Sequence, residues 1–297
     1  MSVTTNIRCV GVVGAGQMGR GIAQVMAASG LRVRLLDSDT DVLNHSLALL
    51  RRDLSRSIEK GRMKPEERDA LLSRIVLTTD IASFVECDFA VEAATEDQAV
   101  KRDIFRELDH YTPEHAILAS NTSSISLTKL AGVTGRPERV IGMHFMNPVP
   151  RMPLVEIIRA LQTSDATYEV TSELARRLGK TCITTKDMPG FVVNRMLIPF
   201  INEACFVLQE GLCTVEDIDQ ASELGLSHPM GPLKLADLIG LDTCLAIAEV
   251  LQRELGEDKY RPPAILRNYV AAGWLGRKTG RGFYEYDTAV ERQRKVA

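Results

Sequence analysis

The chain has 297 residues, of which 45% are hydrophobic and 25% are charged, and its formal net charge is −3. This composition is typical of a globular protein and argues against a disordered or fibrous chain. The nearly balanced charge gives no reason to expect nucleic acid or a membrane surface as a partner, and at roughly 150 residues per domain the length predicts two domains.

The first half of the chain alternates short β-rich runs with amphipathic segments, which is typical of a parallel sheet wrapped by helices. A helix is predicted over residues 17–29 and a second one over about 39–60. In the second helix apolar residues recur every three or four positions, and Gly61 provides a stop. Another helix is predicted over 166–178. The predicted strands are 8–13, 32–36, 75–78, 89–93, 116–120, 140–144, 154–158 and 182–185.

The pattern changes after the segment Lys-Asp-Met-Pro-Gly at 186–190. From Phe191 onward the β-rich runs disappear and helical spacing dominates. We therefore expect an α/β fold, with a Rossmann-type domain of mostly parallel sheet at 1–187 and an all-α C-terminal domain at 188–297.

A glycine-rich turn lies between the first predicted strand and the first predicted helix, with the sequence Gly14-Ala15-Gly16-Gln17-Met18-Gly19. In this pattern the first glycine permits a tight turn, the second lets the backbone approach a pyrophosphate, and the third allows close packing of helix on strand. Asp37 ends the second strand, where a carboxylate accepts the ribose 2′-hydroxyl and repels a 2′-phosphate. The sequence thus predicts NAD binding, and the alternative is a structural glycine turn beside a surface Asp.

His144 differs from the other four histidines because it ends an apolar predicted strand. Ligands of open α/β sheets bind beyond the carboxyl ends of the strands, so a general base is expected there. A histidine at a strand end is, by itself, at least as often structural. Glu156 follows twelve residues later in the apolar run Leu-Val-Glu-Ile-Ile, and a carboxylate in such a setting needs a partner.

Several long motifs resemble the L-3-hydroxyacyl-CoA dehydrogenase family, in the family's order and from Val10 to about Tyr286. The motifs are Ser120-Asn121-Thr122-Ser123-Ser124, His144-Phe145-Met146-Asn147-Pro148 and the segments 154–158, 189–195, 228–232, 237–242 and 276–284. The resemblance implies reversible NAD-dependent oxidation of an (S)-3-hydroxyacyl-CoA to the 3-oxoacyl-CoA. The sequence has no hydratase-isomerase extension, so we expect a stand-alone enzyme for short chains such as 3-hydroxybutyryl-CoA.

The resemblance also implies the catalytic roles. His144 would take the proton from the 3-hydroxyl group as hydride leaves carbon 3 for the nicotinamide, and Glu156 would fix the imidazole tautomer. Ser123 and Asn194 would donate to the substrate oxygen. Two local alternatives stay open: Ser123 as the cap of a helix that starts near Ser126, and Asn194 as part of a buried structural hydrogen bond.

For the cofactor, the resemblance adds residues outside the glycine turn. Glu96 and Lys101 could equally be solvated charges at a helix start, and only the resemblance points to Lys278. The predicted cofactor-binding residues are Gly14, Gly16, Gln17, Met18, Gly19, Asp37, Glu96, Lys101, Ser123, Asn147 and Lys278.

Coenzyme A contacts are predicted on the basic helix before Gly61, whose cations suit the phosphates of the ligand. Lys60 matches a lysine of the family, but the family's serine position is Asp53, with Ser55 as a possible substitute. The alternative is a solvated helix face. The predicted substrate-binding residues are therefore Ser123, Asn194, Ser55 and Lys60. The resemblance implies a homodimer, and no metal site is expected because no cluster has metal-ligand spacing.

Three other functions fit the sequence less well. A related dehydrogenase of a free hydroxy acid or sugar acid, as in the gulonate dehydrogenase and lambda-crystallin branch, is disfavoured by the motif after His144 and by the basic helix. A dehydrogenase with a lysine base would have to use Lys180, whose flanking residues do not match. A non-catalytic NAD-binding relative is disfavoured by the intact set of His144, Glu156, Ser123 and Asn194.

The sequence gives no targeting or membrane signal. The apolar run 9–13 is too short for a signal peptide, and the apolar stretch 191–208 contains Arg195 and other polar residues. The terminal residues Lys295-Val296-Ala297 are not a peroxisomal address. Six scattered cysteines without a Cys-x-x-Cys pair indicate reduced thiols, so a cytoplasmic protein with no membrane partner is expected.

Overall fold

A computed structural model describes residues 7–286, so the terminal residues 295–297 lie outside the described range. The described residues form two compact units that divide between Phe191 and Val192. The first unit is an α/β structure and the second is helical. The expected class, a Rossmann-type mostly parallel sheet followed by an all-α domain, is confirmed.

The strands of the first unit form one eight-stranded sheet in the order β3-β2-β1-β4-β5-β6-β7-β8. All neighbouring strands are parallel except β6 and β7. The predicted strands agree with these bounds to within one residue at each end. The strands are β1 (Cys9–Val13), β2 (Arg32–Leu36), β3 (Ile75–Thr78), β4 (Phe89–Glu92), β5 (Ile117–Ser120), β6 (Val140–Phe145), β7 (Leu154–Arg159) and β8 (Thr181–Lys186).

The sheet has a topological switch between the adjacent strands β1 and β4. The chain moves outward from β1 through β2 to β3, then returns to the other side of β1 as β4. The loops that leave β1 and β4 therefore diverge at the carboxyl edge of the sheet, and the crevice between them is where such folds bind ligands.

Six helices of the first unit cover both faces of this sheet. Local capping fixes several of their starts: Asp39 accepts the amide of Asp41 at 2.8 Å, and Asp97 accepts the amides of Ala99 and Val100 at 2.8 and 2.9 Å. The helices are α1 (Gln17–Ala28), α2 (Thr40–Glu59), α3 (Pro65–Leu72), α4 (Gln98–Tyr111), α5 (Leu127–Ala131) and α6 (Asp165–Arg177).

Apolar side chains from both faces of the sheet form two core clusters. Helices α1, α2 and α6 pack on one face through residues such as Ile22, Leu50 and Leu174. Helices α4 and α5 pack on the other through Phe105 and Leu130. Both faces of the central strands are buried, which explains why these strands are nearly continuous apolar runs.

The second unit packs five α-helices around its own apolar core, which includes Ile201, Leu233 and Leu266. Within residues 7–286, no helix is long and apolar enough to cross a membrane. The helices are α7 (Val193–Gln209), α8 (Val215–Gln220), α9 (Pro232–Ile239), α10 (Leu241–Leu255) and α11 (Ala264–Ala271).

Asp237 connects α9 to the last described segment of the second unit. Its carboxylate is 1% exposed and accepts the amides of Phe283 and Tyr284, both at 3.0 Å, and the hydroxyl of Tyr286 at 2.9 Å. A Cβ atom at Gly282 would lie 2.0 Å from Asp237 Oδ1, so this close approach requires glycine. Burial raises the pKa of Asp237 despite these hydrogen bonds, which lower it.

The substitution Asp237→Ala is expected to lower the free energy of unfolding by about 2 to 3 kcal/mol, because two backbone amides and a hydroxyl lose their acceptor. Urea unfolding followed by circular dichroism measures the change. The exposed Asp258 of the same unit provides the matched control Asp258→Ala. Equal losses in the two variants would contradict the structural role assigned to Asp237.

Candidate active site

The glycine-rich turn between β1 and α1 has the geometry of a dinucleotide-binding turn. Gly14 has φ +96°, and a Cβ atom at Gly19 would lie 1.7 Å from the Gly14 carbonyl oxygen. A Cβ atom at Gly16 would meet no atom within 4 Å, so the turn is open there. The first and third glycines are thus required by the backbone, whereas the second leaves room for a ligand at the N-terminus of α1.

Asp37, at the end of β2, is fixed against this turn. Its Oδ2 atom accepts the amide of Ala15 at 2.8 Å, and its Oδ1 atom accepts the amide of Asp39 at 3.3 Å. The acid therefore stands beside the anion-binding end of α1, as recognition of a ribose requires.

A cavity of about 710 Å³ opens between the glycine turn and Asp37. Its glycine side offers backbone amides and its far side is mainly apolar, which fits a pyrophosphate followed by an adenosine. Gln17 and Met18, predicted as cofactor contacts, also border it. The apolar side chains around the cavity are Val13, Leu36, Val42, Ile81, Val100 and Ile104.

Asn147, in the loop that follows β6, lies next to the same turn. The Nε2 atom of Gln17 donates to Asn147 Oδ1 at 3.0 Å across 130 residues of sequence. Asn147 is predicted to contact the nicotinamide half of the cofactor. This hydrogen bond, which lies within the first unit, holds it beside the glycine turn.

His144 and Glu156 are brought together by the single antiparallel pairing of the sheet. They are direct cross-strand partners on β6 and β7, and such partners project to the same face. His144 Nδ1 and Glu156 Oε2 are 2.7 Å apart. Their exposed fractions are 5% and 0%, and the imidazole packs edge-on against Phe191 with ring centroids 5.7 Å apart.

The second imidazole nitrogen faces Ser123. His144 Nε2 and Ser123 Oγ are 3.1 Å apart. With Glu156 as the hydrogen-bond acceptor we assign the imidazole proton to Nδ1, so that Nε2 carries the lone pair that can take a proton. The Ser123 hydroxyl and the Nε2 atom of His144 therefore lie close enough to contact the same substrate oxygen.

Ser123 does not cap the helix that follows it. Ser126 is the N-cap of α5, with its Oγ atom 3.3 Å from the amide of Lys129. The hydroxyl of Ser126 also donates to Asp187 at 2.7 Å. The capping alternative for Ser123 is therefore wrong, and its hydroxyl is available to the His144 site.

Glu96 organises the turn that carries Ser123. Its Oε1 atom accepts the hydroxyl of Thr122 at 2.5 Å and the amides of Ser123 and Ser124 at 2.9 and 3.0 Å. Burial alone would raise the pKa of Glu96, but the nearby Lys101 ammonium and these hydrogen bonds hold the pKa below its ordinary value. Glu96 is thus ionised, and its Oε1 atom is engaged by hydrogen bonds from the residues of this turn.

Lys101 is inside the protein, not on a solvated helix start. It is 1% exposed and its Nζ atom lies 2.6 Å from Glu92 and 3.4 Å from Glu96. Sequence reasoning missed Glu92, which is buried at the end of β4. The only signal for Glu92 in the sequence is its position, at the end of a predicted strand and nine residues before Lys101.

Lys180 holds the loop after β6. It is buried, and its Nζ atom donates to the carbonyl oxygens of Val149 and Met152 at 2.6 and 2.8 Å. Burial lowers the pKa of Lys180. Two backbone acceptors account for its position, which gives no support to a lysine base.

The remaining predicted residues are on α2 and in the second unit. Ser55 is half-buried on α2 and Lys60 is exposed at its C-cap. Asn194 is buried in the first turn of α7. Lys278 forms an ion pair with Asp242 at the start of α10, with Nζ to carboxylate distances of 2.5 and 2.6 Å.

Residues 7–286 contain no group of three or more side chains that could hold a metal ion.

Two family models match consecutive parts of the chain. Residues 9–188 match the 3-hydroxyacyl-CoA dehydrogenase NAD-binding domain, and residues 190–286 match the 3-hydroxyacyl-CoA dehydrogenase C-terminal domain. Together the two matches take in nearly all of the residues that the structure describes.

Similar proteins carry consistent names. A 3-hydroxybutyryl-CoA dehydrogenase of Bradyrhizobium diazoefficiens is 52% identical over 280 residues, which cover 94% of this chain and 96% of the relative. One from Mycobacterium tuberculosis is 46% identical, with 94% and 99% covered. The solved (S)-3-hydroxybutyryl-CoA dehydrogenase of Ralstonia eutropha has a TM-score of 0.91 and 51% identity, and the match covers 95% of this chain and 100% of that one.

Proposed function

Because the chain belongs to the 3-hydroxyacyl-CoA dehydrogenase family, we propose that it reversibly oxidises short-chain (S)-3-hydroxyacyl-CoA, with (S)-3-hydroxybutyryl-CoA as the preferred substrate. The observation that carries this proposal is the buried His144–Glu156 pair, whose second imidazole nitrogen, Nε2, lies 3.1 Å from the Ser123 hydroxyl oxygen.

In this proposal His144 Nε2 takes the proton of the substrate 3-hydroxyl group. Glu156 holds the proton on Nδ1 and stabilises the positive charge that the imidazole gains. Ser123 and Asn194 donate hydrogen bonds to the reacting oxygen and so orient carbon 3. Bound NAD supplies the hydride acceptor. In the reverse direction the protonated His144 returns its proton to the oxygen of the 3-oxoacyl group.

The proposed cofactor contacts follow from the cavity. The amides of the glycine turn would hold the pyrophosphate, and Asp37 would accept the ribose hydroxyls. Asn147 and Lys278 are proposed on the nicotinamide side. Glu96 and Lys101 are proposed to contact the cofactor as well, and Glu96 also accepts the backbone amide of Ser123.

We expect Asp37→Ser to raise the ratio of NADP to NAD efficiency roughly tenfold or more, because removing the carboxylate removes its repulsion of the 2′-phosphate. The measurement is kcat/KM with each cofactor at fixed substrate concentration. Asp41→Ser, in the exposed first turn of α2, is the matched control. An unchanged ratio in Asp37→Ser would remove this residue from the cofactor site.

The finer assignments rest on further residues. Coenzyme A is proposed to contact Ser55 and Lys60 on α2, a helix that also carries Arg51, Arg52 and Arg56. A homodimer is proposed because the second unit exposes large apolar side chains that water disfavours. These side chains are Met196, Leu212, Leu224, Leu226 and Leu238. We also propose a cytoplasmic location and domains at 1–187 and 188–297.

The proposed substrate is tested with purified protein by following NADH oxidation. Acetoacetyl-CoA, longer 3-oxoacyl-CoA esters and free acetoacetate are compared at equal concentration, with NADPH in parallel. We expect the highest kcat/KM with acetoacetyl-CoA and NADH. Faster turnover of a free oxo acid, or none with any acyl-CoA ester, would contradict the proposal.

A further inference from the structure

The buried carboxylate of Glu92 has a complete set of partners. Glu92 is 0% exposed and Lys101 is 1% exposed, and charged side chains are almost never fully buried unless they are paired. Glu92 Oε1 accepts Lys101 Nζ at 2.6 Å and the amide of Ala94 at 2.7 Å. Its Oε2 atom accepts the hydroxyl of Ser120, its cross-strand partner on β5, at 2.6 Å. Both oxygens are therefore fixed inside the protein.

Lys101 connects Glu92 to a second carboxylate. Its Nζ atom is 3.4 Å from Glu96 Oε2, while Glu96 Oε1 accepts the amides of Ser123 and Ser124. One ammonium thus lies between two acids, one buried and one facing the turn. Glu92 fixes the position of the Lys101 ammonium group. The ammonium group therefore orients the Glu96 carboxylate, which accepts the amides of Ser123 and Ser124.

These contacts end at the imidazole of His144. Ser123 Oγ lies 3.1 Å from His144 Nε2. At the other end of the same segment, Ser120 Oγ accepts the amide of Thr122 at 3.1 Å. Glu92 therefore holds the segment 120–124 at its start directly, and near its end through Lys101 and Glu96.

We infer that Glu92 is a positioning residue for Ser123: through Ser120 at one end of the segment 120–124, and through Lys101 and Glu96 at the other, it determines where the Ser123 hydroxyl lies relative to His144. Such precision matters because a misplacement of about 1 Å can cost roughly 100-fold in rate. The inference rests on the proposed function of Ser123 as a donor to the substrate oxygen. The alternative is an ion pair that contributes only to stability.

A double-mutant cycle with Glu92→Gln and Ser123→Ala separates these two roles. The measurements are kcat, KM for acetoacetyl-CoA, NADH affinity and Tm. We expect Glu92→Gln to lower kcat roughly 10- to 100-fold. In the Ser123→Ala background the same substitution should cost almost nothing, since residues that act through one another are not additive.

Asp109→Asn is the matched control in the same unit. It removes the negative charge that faces Arg136, whose Nε atom lies 2.7 Å from Asp109 Oδ1, and neither residue belongs to the segment 120–124. This variant should lower Tm without lowering kcat. If Glu92→Gln behaves in the same way, or lowers kcat equally with and without Ser123, the positioning role is refuted.

A readout that does not need turnover is the ¹⁵N spectrum of the His144 imidazole. Glu92→Gln should shift the Nε2 resonance in the direction that Ser123→Ala shifts it, and Asp109→Asn should not. An unshifted resonance overturns the inference. If the wild type has no acyl-CoA activity, the proposed function fails and this spectrum still decides the positioning role.

Ser120→Ala carries the test if Glu92→Gln does not fold. It removes the hydroxyl that Glu92 accepts and leaves the Lys101–Glu92 pair in place. We expect a smaller loss of kcat that disappears in the Ser123→Ala background. No loss in Ser120→Ala, or a loss that persists without Ser123, would overturn the inference.

Discussion

Replacement of His144 by glutamine is expected to lower kcat for 3-hydroxybutyryl-CoA oxidation by about 10²- to 10⁴-fold, the range that general-base catalysis contributes. Glutamine can keep a polar contact with Glu156 or Ser123, but it has no group that takes a proton near neutral pH. The cavity that borders the glycine turn does not include His144, so NAD affinity should not change. Stopped-flow measurement of NADH formation and a separate NAD titration give the two quantities.

The control for this prediction is an exposed histidine of the same unit. His110 lies in the last turn of α4 and is exposed, so His110→Gln should retain the wild-type kcat. A His144→Gln variant that is folded, binds NAD and keeps full activity would exclude His144 as the base.

Replacement of Glu156 by glutamine should have the second largest effect, a loss of kcat of roughly 10²- to 10⁴-fold by analogy with the buried acid that orients the histidine of serine proteases. The amide is neutral, so it does not stabilise the imidazolium. It can also donate to Nδ1, which would place the imidazole proton on Nε2, the nitrogen that faces Ser123 at 3.1 Å. Both effects remove the base from its working state.

A pair of variants separates this effect from a general loss of stability. Glu169→Gln changes an exposed acid on α6 and should leave kcat unchanged. The double variant with His144→Gln should be no slower than His144→Gln alone, because two residues that act as one unit are not additive. A multiplicative loss in the double variant would show that Glu156 acts independently of His144.

Local patterns were sufficient for the eight strands of the sheet and for three helices of the described residues, α1, α2 and α6. The stripe over residues 43–58 and the glycine after it predicted α2, whose observed bounds are Thr40–Glu59. The central strands β1, β4 and β5 could be predicted because strands that are buried on both faces are nearly continuous apolar runs. The glycine turn could also be recognised, because Gly14 and Gly19 are required by backbone conformation and contact distance within one short segment.

The surroundings of charged residues could not be predicted in this way. Lys101 has the sequence context of a solvated helix start, yet it is buried and paired with Glu92 at the end of β4. A single sequence does not say which of several acids a lysine will meet, because that depends on which strands become neighbours. Ser123 was similarly ambiguous between a helix cap and a site residue until Ser126 was found to cap α5.

The sequence by itself determined the α/β class, the glycine turn with Asp37, and the identity of His144 and Glu156 as candidates. The class and the turn depend on residue types, spacing and periodicity within short segments, whereas the catalytic roles of His144 and Glu156 were implied by the family resemblance. The tertiary structure decided that β6 and β7 run antiparallel, which places His144 opposite Glu156. It also decided that the ends of β4, β5 and β6 meet, which joins Glu92, Ser120 and the Ser123 turn beside His144. Strand pairing between distant segments brings these groups together, and no local pattern encodes that pairing.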